Sequence, residues 1–524
     1  MIYAAVVAVI LGLGGAAPGE PLAASDTWSR EHASHLLRRA GFGGTPEQIT
    51  FLTGLGRKKA VAYLLDYESL PDTLPRLDLA PPPPPIRVSH PDADRSELQR
   101  IRGRRRRADR IQLQKITNRW LEAMVSSPRP LQEKMVLFWH GHLTSGYREV
   151  RSSRAMYVQN QLFRRRATGQ LRDLLIEITE DPAMVLYLNT QQNVNRRPNE
   201  NYARELMELF TMGVGNYTEQ DIREAARAFT GILTDPQTCE VFHTRGRHDF
   251  GEKTFLGETG SFDPADIIDI ILKQPVTAEF IARKLWTFFA FENPDDSIIE
   301  ALGALFRESD YNVRTLLRAM FLSDVFYGDR ARFTHVKSPV ELLVGTMRAL
   351  ETPVVDATTL CRQLRAMGQD LFQPPNVKGW DGGLTWINTS TLFNRYNALR
   401  HVIFGDDNPQ FRRQRRKQRE QLLRTLGAEA PVLTDIDTAR MLEPQAAYDP
   451  TPVLKSLTRP TAEAIVDHYI DRLLQRRIAP ERRQSLIDAL KQQINTRKIN
   501  SPSNARGIRT LLHLIVSMPE YQLS

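Results

Sequence analysis

Cysteine is nearly absent from this sequence, since only Cys239 and Cys361 occur among its 524 residues. Two cysteines exclude a disulfide scaffold and a cysteine-based zinc module. The chain also lacks a Gly-x-Ser-x-Gly nucleophile elbow and a glycine-rich phosphate loop, so no pattern supports a serine hydrolase or a nucleotide-dependent enzyme. Beyond residue 24 no segment is apolar enough to span a membrane, and we expect the body of the protein to be soluble.

Basic residues slightly outnumber acidic residues, and the excess is concentrated in two short tracts. The 70 Lys and Arg residues against 61 Asp and Glu residues give a net charge of +9. The tract 100–110 holds seven arginines and one aspartate, and the tract 412–419 holds six basic residues, so the rest of the chain is close to neutral. We expect these Arg-rich tracts to bind anionic polymers or membrane surfaces. Nucleic acid is disfavoured as a partner because neither tract has interleaved aromatic residues.

The N-terminal segment is apolar up to Gly15 and rich in small residues from there to Ala24. This pattern predicts a secretory signal peptide with cleavage after Ala24, although no Lys or Arg precedes the apolar stretch. An uncleaved membrane anchor and a buried N-terminal helix are the alternatives. We therefore expect an exported protein that is periplasmic, extracellular or anchored at its N-terminus.

Helical patterning dominates the remainder of the chain. Typical helix starts, with a capping hydroxyl and an acidic or amide side chain three positions later, occur at Thr45, Thr218 and Ser338. Strand-like alternation of apolar and polar residues is scarce. The sequence predicts a mainly α, multi-helix globular fold with long irregular loops and at most a small β hairpin, in the region 238–255.

Composition divides the chain into six segments. Five consecutive prolines at 81–85 lead into the first Arg-rich tract, and the second tract leads into a loop that contains several prolines. The predicted segments are a signal peptide or anchor (1–24), an N-terminal helical segment (25–80), a Pro/Arg-rich solvated linker (81–110), a main helical domain with the candidate site (111–405), a charged and Pro-containing insertion (406–457) and a C-terminal helical segment (458–524).

Two histidines form the first candidate site. His140 and His142 flank Gly141 directly after an apolar segment. In an extended segment both imidazoles would lie on one side and could bind one metal ion, whereas on a continuous helix they would diverge by about 200°. Gly141 favours the extended conformation and hence a metal site. In the alternative, one histidine packs in the core with Trp139 and the other caps the helix C-terminus.

The segment 199–210 predicts a helix with one apolar and one polar face. The polar face carries Asn201, Arg204, Glu205 and Glu208. As the wall of an active site, this face would use Glu205 as a metal ligand, Glu208 as a general base, Arg204 to orient an anionic group and Asn201 to bind substrate. In the alternative, the face is solvated and Arg204 pairs with neighbouring carboxylates.

A loop further along the chain could complete a metal site. His248 and Asp249 lie in a glycine-flanked turn and offer a nitrogen and an oxygen ligand. Together with His140, His142 and Glu205 they would form a His and carboxylate site for a divalent zinc, manganese or iron ion. In the alternative, the loop is only a turn.

Two tryptophans lie among glycines in another predicted loop. Exposed indoles are good platforms for sugar rings, so Trp380 and Trp386 are candidate substrate-binding residues, and Asn388 could bond a hydroxyl group. In the alternative, both tryptophans pack in the helical core and the glycines let the loop pass close by.

Several segments together resemble a known family. They are the segments 36–43, 138–142, 199–210, 217–219, 226–231, 248–249 and 376–380. Their order and sequence are similar to those of bacterial proteins with the domain of unknown function 1800, and the resemblance covers most of the chain. It implies export and, often, a partner encoded nearby that resembles the alkaline phosphatase and sulfatase superfamily. It implies no particular reaction.

Two hypotheses about function follow. In the first, the protein is an exported metal-dependent enzyme, a hydrolase or an oxidoreductase, that acts on an envelope or extracellular substrate. In the second, it is a non-catalytic envelope or surface-assembly binding protein that works with the alkaline-phosphatase-like or sulfatase-like partner. The first requires bound metal at the histidine and carboxylate positions, and the second does not.

Overall fold

The computed structural model describes residues 22–73, 77–79, 82–235, 237–405, 417, 446–457, 460–495 and 502–524. These residues form 63% helix and 4% strand, which confirms the predicted mainly α class. The α-helices are α1 Arg30–Ala40, α2 Pro46–Leu55, α3 Arg57–Leu65, α4 Ile86–Ser89, α5 Arg95–Ser126, α6 Pro130–His142, α7 Tyr147–Val150, α8 Ser153–Arg165, α9 Leu171–Thr179, α10 Pro182–Tyr187, α11 Asn201–Glu205, α12 Glu219–Ala228, α13 Pro264–Lys273, α14 Pro275–Phe289, α15 Asp296–Glu308, α16 Val313–Leu322, α17 Pro339–Ala349, α18 Ala357–Ala366, α19 Thr389–Phe404, α20 Thr451–Ser456, α21 Ala462–Leu473, α22 Pro480–Lys491 and α23 Pro502–Val516.

All three predicted helix starts are present. Thr45, Thr218 and Ser338 each accept a hydrogen bond from the backbone N–H three residues later, and the side chain at that later position accepts one from the capping residue. Each such cap stabilises its helix by about 1 kcal/mol. These starts are correct because the capping box depends on residues adjacent in sequence.

The strands form two small antiparallel sheets in the region where one hairpin was expected. Strand β1 (Ile232–Thr234) pairs with β2 (Val241–His243), and β3 (Lys253–Phe255) pairs with β4 (Glu258–Gly260). Leu256 and Gly257 join β3 to β4 with φ angles of 47° and 84°. Two consecutive left-handed residues form the tight turn that suits a two-residue hairpin.

The hydrophobic core is continuous from Leu22 to Tyr521. Helices α14 and α15 pack side by side, as do α6 and α8. The three C-terminal helices α21, α22 and α23 contact one another, and they join the rest through α17 and α19. The predicted C-terminal segment therefore shares its core with the main helical domain.

The first Arg-rich tract is helical. Residues 100–110 lie in α5, whose N-terminus is capped by Asp94. Most of the arginines are exposed, while Ile101 is buried and Asp109 accepts hydrogen bonds from Tyr147 and Ser153. A helix forms in the second half of the predicted solvated linker 81–110, because the apolar positions of α5 pack on the body.

Other predicted segments lie outside the described residues. These are most of the predicted signal peptide and, apart from residue 417, the tract 412–419. Across the part of the chain that the structure describes, no helix combines the length and the apolar character needed to cross a membrane.

Candidate functional site

The expectation of an extended backbone at His140 and His142 is wrong. Helix α6 continues through both residues and ends at His142, and the N–H of Leu143 still donates to the carbonyl of Trp139 at 2.7 Å. On this continuous helix the two imidazoles point to different surroundings. Gly141 does not break the helix. Its missing side chain instead allows Gly379 and Trp380 to pack closely against it.

His140 is a core side chain. It is 1% exposed, and its ring lies 4.6 Å from the ring of Trp120 and 4.8 Å from that of Phe163. The amide of Asn160 lies 3.1 Å from its Nε2 atom. Burial, reinforced by the nearby charge of Arg164, lowers the pKa of His140 to about 3, so the imidazole is neutral at physiological pH.

His142 joins two elements of the site. Its Nε2 atom donates to the carbonyl of Phe210 at 2.9 Å, and its ring stacks on Phe138 at a centroid distance of 5.6 Å. Burial and the charge of Lys284 lower the pKa of this imidazole to about 3. His142 thus fixes the end of α6 to the segment that carries the predicted acidic residues.

The structure does not bring the predicted metal ligands together. The described residues contain no group of three or more His, Cys, Asp and Glu side chains placed to hold a metal ion. Asp249 pairs with Arg227, at 2.8 Å and 3.2 Å. His248 contacts the carbonyl of Thr230 through Nδ1 at 2.9 Å, in a different part of the fold from His140. The zinc, manganese or iron site stays a prediction without support from the ligand geometry.

Arg204 is also engaged within the protein. Its guanidinium forms a bidentate pair with Glu219, at 2.9 Å and 2.8 Å, and contacts Glu200 at 3.1 Å. These carboxylates raise its pKa further above the usual value. Asn201 is exposed at the start of α11, where its backbone N–H bonds to Asn199. Arg204 therefore matches the solvated-face alternative better than a substrate clamp.

The segment that carries Glu205 and Glu208 has an unusual backbone. Helix α11 ends at Glu205 and continues directly as a π-helix, Leu206–Thr211. A π-helix is rare and occurs frequently at functional sites. Its apolar face is buried through Leu206, Met207 and Phe210, so Glu205 and Glu208 lie at the partly exposed side.

The loop 376–380 packs against the end of α6 through two glycines. Gly379 has a φ of 87°, and a Cβ atom on it would lie 2.0 Å from the carbonyl oxygen of Gly141. The ring of Trp380 covers Gly141, 3.6 Å from the place where a Cβ atom would stand. Only glycine permits this approach of the two backbones. The contact fixes the loop that carries Lys378, whose charge acts on Glu205.

These contacts assemble what we call the Glu205 cluster, which consists of Glu205, Glu208, Tyr217, Lys284 and Lys378. Burial and the charge of Glu208 raise the pKa of Glu205, against the opposing effect of Arg204 and Lys378. Tyr217 donates to Glu208 at 3.3 Å. Burial and Lys378 lower the pKa of Lys284. Among the described residues, the carboxylate of Glu205 and both ammonium groups make no hydrogen bond or ion pair.

The tryptophan loop has mainly a packing role. Trp386 is 7% exposed and packs against Gly368, and Trp380 is half-buried over Gly141. Asn388 caps α19 by accepting from the N–H of Thr391 at 2.9 Å. The two tryptophans therefore match the alternative in which they pack against the fold, and Asn388 serves as a helix cap.

Sequence reasoning identified the two glutamates of the cluster but missed its other members. Lys378 could have been found, because it lies in the segment 376–380 that was singled out, and Tyr217 lies in the segment 217–219. Lys284 carries no local signal, since it is one of two adjacent basic residues on α14 and reaches the site only through the tertiary fold.

Comparisons with known proteins place the chain in one family. No curated protein and no solved structure matches the chain. A family model does match, over residues 35–523, and its description is "Protein of unknown function (DUF1800)". Three of the segments that carry the resemblance, 138–142, 199–210 and 376–380, are those that meet at the Glu205 cluster. The chain belongs to the DUF1800 family.

Proposed function

We propose that this protein is an exported envelope protein that binds a polymer with both amino and carboxylate groups at the Glu205 cluster. The observation that carries the proposal is that Glu205, Lys284 and Lys378 form no ion pair among the described residues, although the charge of Lys378 acts on both of the others and Lys284 contacts only the ring of Phe280, at 5.2 Å. Charged side chains at the surface of a fold normally pair or point apart. A ligand with complementary groups explains why they are held together.

The two signs of charge define the ligand chemistry. Glu205 and Glu208 accept hydrogen bonds from amino or hydroxyl groups, and Lys284 and Lys378 donate to carboxylates. Peptidoglycan offers all of these groups, since its stem peptides carry amines and carboxylates on a hydroxylated sugar chain. The predicted signal peptide would deliver the protein to the compartment that contains this polymer.

Catalysis on the same polymer is a second candidate function. The raised pKa of Glu205 favours it, because a carboxyl group that keeps its proton nearer to neutral pH is suited to general acid catalysis. Glu208, three residues away and bonded to Tyr217, would then be the base. The predicted metal-dependent mechanism has less support, since the proposed ligands lie apart. The alkaline-phosphatase-like or sulfatase-like partner stays a prediction.

Binding to purified peptidoglycan sacculi tests this proposal. In a co-sedimentation assay, we expect the Glu205→Gln/Glu208→Gln variant and the Lys284→Gln/Lys378→Gln variant each to bind at least about tenfold more weakly than the unchanged protein. The expected loss follows from the removal of charge-assisted hydrogen bonds, each contributing about 1.5 to 3 kcal/mol.

The matched control is Glu300→Gln/Glu308→Gln, which removes the same charge from exposed positions on α15. This control should bind like the unchanged protein. Equal binding by the control and by the Glu205 variant would overturn the proposal. Release of soluble fragments by the unchanged protein, and not by the Glu205 variant, would establish the catalytic candidate.

A further inference from the structure

A second concave site lies beside the small sheets and shares no residue with the Glu205 cluster. It is a pocket of about 400 Å³ between α9, β2, the turn Arg245–Arg247 and the start of α13. Ligand sites in proteins usually enclose about 300 to 1,000 Å³ and combine apolar walls with a few polar groups. Here Ile176 and Ile268 form part of the apolar wall.

An exposed aromatic ring forms one side of this pocket. Phe250 is 58% exposed and lines the pocket. The guanidinium of Arg245 lies 5.8 Å from its ring centre, and the ring of His248 meets it edge-on at 4.6 Å. Phe250 therefore has fixed neighbours on two sides and leaves part of its ring exposed to the pocket.

The loop that presents Phe250 is held rigidly. The carboxylate of Asp249 pairs with Arg227 and accepts from the N–H of Gly251 at 2.8 Å. Lys253 is buried and donates to the carbonyls of Asp249 and Gly251, at 2.7 Å and 3.0 Å. The exposure of Phe250 is thus a built feature of the loop, and binding would not have to order it.

Polar groups of both kinds surround the aromatic ring. Nδ1 of His248 bonds to a backbone carbonyl, which makes Nδ1 the donor and leaves Nε2 as an acceptor. His243 and Glu180 form a pair at 2.9 Å, and each keeps a further polar atom for a ligand. Arg245 makes no ion pair among the described residues and offers several donors.

We propose that this pocket binds a neutral sugar residue, with the apolar face of the sugar ring against Phe250. Carbohydrates combine a flat C–H face with hydroxyl groups that both donate and accept, and this matches an aromatic ring surrounded by mixed polar groups. The carboxylates of Glu180 and Asp263 at the wall disfavour an anionic ligand, since Arg245 is the single Arg or Lys side chain among the lining residues of the described structure.

Titration with neutral disaccharides tests the proposal. The probes are N,N′-diacetylchitobiose, cellobiose and maltose, followed by saturation-transfer NMR and calorimetry with the full chain. We expect at least one of them to bind, the Phe250→Ala variant to lose at least about tenfold in affinity, and Phe250→Tyr to retain binding. Galacturonic acid serves as the anionic probe and should bind more weakly.

Phe393→Ala is the matched control, because Phe393 is 66% exposed and does not line the pocket. It should bind the sugar like the unchanged protein. The Glu205→Gln/Glu208→Gln variant should also keep full sugar affinity, so failure here and failure of the peptidoglycan-binding proposal can be told apart. No binding by any of the three disaccharides, preferred binding of galacturonic acid, or equal binding by Phe250→Ala would overturn the inference.

Discussion

Replacing Gly379 with alanine is expected to lower the free energy of unfolding by about 2 to 5 kcal/mol. The left-handed backbone at φ 87° costs a residue with a Cβ atom about 1 to 2 kcal/mol. The added Cβ atom would lie 2.0 Å from the carbonyl oxygen of Gly141, a backbone atom inside α6 that cannot turn away. Overpacking of this kind adds about 1 to 3 kcal/mol. Denaturant-induced unfolding of the purified protein measures the loss.

Gly215→Ala is the control for this prediction. Gly215 has a similar φ of 91°, but an added Cβ atom there meets nothing within 4 Å. We expect that variant to lose only the backbone contribution of about 1 to 2 kcal/mol. An equal loss in both variants would show that the approach of Gly379 to Gly141 does not hold the loop on α6. Gly379→Ala should also weaken polymer binding, because the position of Lys378 depends on the contact between Gly379 and Gly141.

The second large effect is a pH dependence that arises from Asp181. Asp181 is 2% exposed at the N-terminus of α10, and burial raises its pKa to about 7, despite hydrogen bonds from Met184 and Gln159. Its Oδ2 atom has no partner among the described residues. Since its usual pKa is 3.8, the folded state holds this proton over a pH range in which the unfolded chain releases it.

The sign of the effect follows from this difference. A carboxyl group whose pKa is raised on folding stabilises the fold most at low pH, and that stability is lost as the pH rises from about 4 through about 7. We expect the stability of the unchanged protein relative to Asp181→Asn to fall by about 1.4 kcal/mol per pH unit in this window, up to about 4 kcal/mol in total. Asparagine retains the capping oxygen and removes the titration.

Unfolding curves of both proteins between pH 4 and pH 8 provide the measurement. Asp94→Asn is the control, because hydrogen bonds from Glu97 and Ser96 at the start of α5 lower the pKa of Asp94. The titration of Asp94 therefore lies below about pH 4, and its stability difference should stay nearly constant between pH 4 and pH 8. A difference between the unchanged protein and Asp181→Asn that stays constant from pH 4 to pH 8 would contradict a raised pKa at this site.

Local signals predicted the helices well, and they misplaced the histidine pair for a clear physical reason. Thr45 and Ser338 cap their helices through bonds that span three residues, so adjacent sequence contains the whole interaction. Gly141 has low helix propensity and suggested a break. Tertiary packing overrides that propensity, because Gly141 provides the flat surface on which Gly379 and Trp380 lie.

The candidate site was partly accessible from the sequence. Periodicity placed Glu205 and Glu208 on one polar face, which the structure shares. Periodicity could not show that Arg204 forms an ion pair with Glu219, fifteen residues away. It also could not show that the helix changes to a π-helix after Glu205. The position of Lys284 depends on the packing of α14 against the π-helix, which no local pattern contains.

The central claim is that the fold keeps the carboxylate of Glu205, which has no ion pair among the described residues, for a ligand, at a cost in stability. The thermal midpoint of Glu205→Gln against the unchanged protein tests this most directly. The raised pKa means that the ionised form is the less stable one, so the neutral variant should melt at a higher temperature than the unchanged protein at pH 7, and the difference should become smaller at pH 4. A lower midpoint at pH 7 would show that the carboxylate stabilises the fold, and would contradict the account.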